Sequence, residues 1–159
     1  METKEVLLKR LDETVTHLIE VCRTVPDPAA EVYDGWAAKD ILGHVTFWHE
    51  SFARNVDDLV HDRQPTPLKG KLSDLNQLGV AEMRLCSLEE VIGRLEAAQR
   101  IIHANILNPK LSLIPYRKSS RDYSPEEHLG IVADHIGEHV KAIQGKGQKK
   151  RSSSKARSQ

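Results

Sequence analysis

The stretch Asp134-His135-Ile136-Gly137-Glu138-His139-Val140-Lys141-Ala142-Ile143 decides the fold. Ile136, Val140 and Ile143 recur at steps of four and three, the spacing of one helix face. Leu129 and Val132 extend that stripe upstream, and Ser124-Pro125-Glu126-Glu127 opens it. This opening places serine at the N-cap, proline at the first helical position and glutamate at N3. Gly145 is placed to end the helix. His135 and His139 stand at i and i+4, and they flank Ile136 and Val140, so both are expected to lie toward the interior. Two neutral imidazoles so arranged can reach one transition-metal ion. The same spacing also fits two neighbouring histidines with no ligand. Ile136 stands where the glutamate of a HExxH pattern would be, and Glu138 is rotated about 100° from His139.

Upstream, a second helical segment runs from about Trp36 to His61, with Ile41, Val45, Trp48, Phe52, Val56 and Leu59 as its apolar stripe. Asp34 and Gly35 precede it as cap and turn residues. His44 lies three residues after Ile41 and four before Trp48, so it points inward and requires a hydrogen-bond partner or a metal. A first segment, about Thr3 to Arg23, repeats Leu8, Leu11, Val15, Leu18 and Cys22, and stops before Val25-Pro26. A third begins at the capping box Ser87-Leu88-Glu89-Glu90 and carries Val91, Leu95, Ala98, Ile102 and Ile106. A short helix over Leu75 to Arg84 fits between them. Four amphipathic helices with no strand pattern predict an all-α four-helix bundle over residues 1–144, with a long connection between the second and third helices. A loop from Pro109 to Tyr123 is long enough to be functional.

The remainder, 145–159, carries Lys146, Lys149, Lys150, Arg151, Lys155 and Arg157, with no acid and no large apolar residue. It reads as a basic disordered tail. The formal net charge is zero over the chain, but residues 1–144 hold 17 basic and all 23 acidic side chains. An acidic body is a poor surface for nucleic acid. The tail could tether the chain to nucleic acid or to an anionic membrane, or serve solubility alone. Cys22 and Cys86 show no disulfide or metal spacing. No apolar run approaches a membrane span, and the N-terminus has no secretory h-region. A reduced, cytoplasmic protein is expected.

His17, His61 and His103 lack partners at ligand spacing and read as surface or half-buried polar residues. His128 shares the face of His135 but lies roughly 10 Å from it along the axis, too far to bind the same ion. It is a substrate-contacting or supporting candidate. Trp36 and Trp48 read first as packing residues whose indole N–H groups could orient a histidine or a substrate. Tyr116, Arg117, Arg121 and Tyr123, on the long loop, could touch a polar or anionic substrate, or could simply be solvated.

Trp36-Ala37-Ala38-Lys39-Asp40-Ile41-Leu42-Gly43-His44-Val45 with Trp48 resembles the second-helix signature of the DinB/YfiT-like superfamily. Asp134 to Ile143 resembles its fourth-helix HxxxH signature, and the Glu-His-x-x-x-Ile ending is most similar to the ClbS/DfsB-type branch. The resemblance implies an up-down-down-up four-helix bundle. It implies a divalent metal, zinc or nickel, on His44, His135 and His139, with a low-molecular-weight thiol as a possible cofactor. It implies a hydrolase or a thiol-dependent transferase acting on a small, electrophilic or toxic molecule, and a possible homodimer. The alternatives are a metal-independent ClbS-like protective hydrolase and a non-catalytic protein that sequesters a small molecule. A metal enzyme needs all three histidines, whereas a sequestering pocket should tolerate the loss of any one.

Overall fold

The computed structural model describes residues 2–157, with side chains described for 2–145. The chain is mostly helical. It forms α1 (Lys4–Thr24), β1 (Glu31–Tyr33), β2 (Trp36–Ala37), α2 (Ala38–Val60), α3 (Leu72–Met83), α4 (Leu88–Asn105) and α5 (Pro125–Arg157). α1 packs along α5, and α2 packs along α4 and α3. The predicted stripes supply the core: Leu11, Leu18, Ile41, Leu95, Ile102, Leu129 and Ile143 are fully buried. Two caps form as the sequence predicts. Ser87 Oγ accepts from Glu90 N while the Glu90 carboxylate accepts from Ser87 N, and Ser124 and Glu127 repeat the exchange at the start of α5.

The structure corrects the all-α reading in one place. β1 and β2 form a small antiparallel hairpin between α1 and α2, with Tyr33 paired to Trp36. Asp34 and Gly35 are its turn rather than the cap of α2, and Gly35 has φ +80°, a conformation that glycine adopts without strain. Asp-Gly is itself a hairpin signal, but flanking strands of three and two residues are too short to show alternation. α2 starts instead after Ala37, whose N–H donates to Asp40 Oδ2 at 2.9 Å. Arg84 clamps this corner by donating to Asp40 Oδ1 at 2.9 Å and to the Gly35 carbonyl at 3.0 Å.

The short helix α3 lies close against α2. A Cβ on Gly43 would stand 2.7 Å from Met83 Cβ, and one on Gly79 would stand 2.6 Å from the Phe47 ring. The 109–123 loop is pinned rather than free. Ile114 and Tyr123 exchange backbone hydrogen bonds at 2.7 and 3.0 Å, and Lys118 N donates to the Leu68 carbonyl. α5 is assigned past Gly145, where the sequence pattern placed its end, and the side chains of the expected basic tail from Lys146 onward lie outside the described residues.

Candidate functional site

α2, α5 and the 109–123 loop, with Leu72 of α3, line a partly open cavity of about 270 Å³. α2 contributes His44, Trp48, His49 and Phe52, α5 contributes His128, His135 and His139, and the loop contributes Pro115, Tyr116 and Tyr123. The two distant sequence segments thus meet on one wall. His44 and His139 have ring centres 5.3 Å apart, with planes at 86°. Trp36 does not line the cavity, but its ring centre lies 5.0 Å from that of His44. His44 Nδ1 is buried with no hydrogen-bond partner. Burial, and then the proximity of His139 and His135, push the His44 pKa down to about 4. His139 is lowered by burial and then by His135. Both rings are therefore neutral at physiological pH, the protonation state that a metal ligand needs.

Tyr33, which the sequence reading passed over, approaches His139 from the hairpin, with Oη 3.0 Å from Nδ1. Nothing in residues 31–37 marks this contact, because it depends on the hairpin folding back over α5. If Nδ1–H donates to Oη, the Nε2 lone pair of His139 is left free, the arrangement that metal-ligating histidines show.

His135 departs from the expectation. It lines the cavity yet is exposed. Among the described residues, no group of three or more His, Cys, Asp or Glu side chains is arranged to hold a metal ion.

The other candidates divide. Trp48 lines the cavity, stacks on Tyr116 at 4.9 Å and 21°, and is fixed by Nε1–H donating to Asn76 Oδ1 at 2.7 Å. His128 is buried in the wall, with its ring stacked on Phe52 at 3.9 Å. The two arginines do not line the cavity. Arg117 Nη1 donates to the Gly70 carbonyl at 2.9 Å, which ties the loop to the connection between α2 and α3. Arg121 is exposed, pairs with Glu127 and covers the outer face of Tyr123 at 4.5 Å. His49, which stands one turn beyond Val45 on α2, was also missed, and it is almost wholly buried in the cavity wall. His17, His61 and His103 are exposed, as expected.

No protein-family model matches the chain, and no curated protein matches it. Among solved structures, the chain is similar to a crystal structure of a mycothiol-dependent maleylpyruvate isomerase, with a TM-score of 0.70 at 12% identity. A histidine-to-alanine mutant of that enzyme gives 0.70 at 11%. Each comparison covers 89% of this chain and 61% of the other, so the chain spans about three fifths of the length of those proteins. At such identities the likeness is one of fold. It agrees with the DinB-like fold that the sequence resembles, and it does not reach the narrower ClbS/DfsB-type branch. Among the described residues, no helix is long and apolar enough to cross a membrane.

Proposed function

We propose that this chain is an enzyme that transforms a small molecule in the histidine-lined cavity, using a low-molecular-weight thiol as co-reactant and a divalent metal held by His44, His139 and His135. The observation that carries the reading is the meeting of His44 and His139 on one cavity wall, both neutral, with the His44 Nδ1 orphaned. Two imidazoles bonded to one zinc at tetrahedral angles have ring centres about 5 Å apart, which matches the 5.3 Å separation. The pair fits a metal. His135, one helical turn before His139, lines the same cavity at an exposed position and would complete the set. The chemistry that such an ion supplies is a depressed pKa for a bound thiol or water near neutral pH.

This chain's own residues would divide the remaining work. Tyr33 holds the His139 ring in orientation. The Trp48–Tyr116 stack presents a flat apolar wall, and the pinned loop walls one side of the cavity. The four long helices are read here as a DinB-like up-down-down-up bundle. The ClbS/DfsB-type branch, the homodimer and a cytoplasmic setting rest on the sequence alone, the last on the unpaired thiols Cys22 and Cys86.

The test is turnover of a panel of small electrophiles with mycothiol or N-acetylcysteine, in zinc- or nickel-loaded protein. Thiol-dependent acceleration, lost in His44→Ala and His139→Ala, is the expected result. Turnover that needs no thiol, and that survives both substitutions, would overturn the reading in favour of a metal-independent hydrolase. One observation favours the other alternative, a sequestering pocket: among the described residues, no Lys, Arg, Asp or Glu lines this mainly apolar cavity. That reading predicts ligand binding unchanged by either alanine variant.

A further inference from the structure

The cavity has two ends. His44, His135 and His139 mark one. The other lies about 10 Å away along α5, at His128, and about 16 Å along α2, at Asn55. His128 is only 4% exposed, and its Nε2 is enclosed without a hydrogen-bond partner. Such an orphan has lost its hydration with no partner in return. The ring lines the cavity, and a ligand there recovers that loss through a small shift that opens Nε2 to it. Phe52 stacks on one face of the His128 ring, and Tyr116 and Tyr123 stand 6.2 and 6.0 Å from it.

His49 lines the same region, and a chain of hydrogen bonds fixes its tautomer. The Asp12 carboxylate can only accept, so Gln99 Nε2 donates to Asp12 Oδ1 at 2.5 Å. Gln99 Oε1 must then face His49 Nε2, 2.6 Å away, and accept its proton. The proton of the neutral ring therefore sits on Nε2, and Nδ1 is left as an acceptor. Gln99 and Asp12 act through His49 as positioning residues. Burial pushes the pKa of both His49 and His128 down to about 4, so neither ring carries charge at neutral pH. Among the described residues, no Lys, Arg, Asp or Glu lines the cavity.

We propose that the His49–His128 end is a binding subsite for an uncharged, ring-sized part of the substrate that bears an amide or hydroxyl group, which hydrogen-bonds to these imidazoles. The apolar and aromatic wall takes the ring, and the neutral nitrogens take the polar group. A carboxylate placed there would lose its hydration with no counter-charge to replace it. This inference rests on reading the cavity as the substrate site, and it is tested without turnover.

The experiment compares benzamide with benzoate, isosteric neutral and anionic probes, on the full chain at pH 7 by protein-observed NMR. Benzamide should shift the signals of Tyr116, Tyr123 and His128, and benzoate should bind there at least about tenfold more weakly. His128→Phe, which keeps the ring stack, should weaken benzamide severalfold. Long-range 15N spectra should show His49 as the Nε2–H tautomer, and Gln99→Leu should shift that signature and weaken benzamide together. If His128→Phe folds poorly, the benzamide-to-benzoate ratio and the Gln99→Leu spectrum carry the test. Benzoate binding at this end as tightly as benzamide would overturn the subsite. So would benzamide shifts confined to the His44 end, or no benzamide binding up to its solubility limit. Intact benzamide selectivity in a protein with no thiol-dependent turnover would overturn only the proposed reaction.

Discussion

His49 and His128 are neutral because burial holds them so, and that carries a consequence in acid. Both folded-state pKa values are about 4, below the ordinary 6.5. Between those values the unfolded chain binds more protons than the folded one, so stability falls as pH drops through the window. Above pH 6.5 the contribution is fully present. The loss between pH 6.5 and 5 reaches up to about 2 kcal/mol per histidine. Denaturant unfolding at pH 7 and pH 5 should show it, with a smaller acid loss in His128→Phe than in the parent chain. At the other end of the cavity, Tyr33→Phe keeps the ring packing and removes only the hydroxyl opposite His139 Nδ1. It should change stability by less than about 1 kcal/mol and lower zinc affinity by roughly tenfold or more, measured by calorimetry. His44 and His139 were legible in the sequence because stripe phase and helical spacing fix which way a helical side chain points. Phase alone does not separate His135 from His139: each stands one residue before a buried position and lines the cavity, yet His135 is exposed and His139 half-buried. Arg117 and Arg121 carried a charge signal, but a charge on a loop says nothing about which carbonyl or carboxylate will capture it.

Among the elements, the close seat of α3 on α2 depends on two missing Cβ atoms. Gly43→Ala would set a Cβ 2.7 Å from the rigid Met83 Cβ, one residue before His44. Overpacking of this kind costs about 1–3 kcal/mol, against a gain of up to about 1 kcal/mol in helix propensity. Net destabilisation in a thermal or urea melt is the expected outcome. The Arg84 clamp gives a second prediction at this scale. Arg84→Ala removes the donors to Asp40 and to the Gly35 carbonyl, and so loosens the hairpin that carries Tyr33. Hydrogen exchange at Tyr33 to Ala37 should quicken while the amides of α4 hold. The long helices were readable because each shows three to five turns of apolar period. The hairpin was not, since two strands this short leave only the Asp34-Gly35 turn as a signal. The loop was recognised by its length, but its fixed shape comes from the Ile114–Tyr123 and Leu68–Lys118 backbone bonds, which join segments that no local pattern relates.

At the scale of the whole molecule, the fold survives at 12% identity to the solved isomerase structure. Binary patterning and helix pairing tolerate that divergence, while the cavity lining need not. The composition of the lining was the least legible feature. Its residues come from α2, α5 and the 109–123 loop, and the Asp12–Gln99–His49 chain crosses from α1 through α4 to α2. Such a chain exists only after the helices have packed. Whether the His44, His135 and His139 end of the cavity holds a functional metal is decided by calorimetric zinc titration of the chelator-treated full chain, wild type against His44→Ala, His135→Ala and His139→Ala. One zinc per chain, bound at least about a hundredfold more weakly in each variant, is the predicted result. Zinc that does not bind the wild type, or that binds the variants equally well, would contradict it.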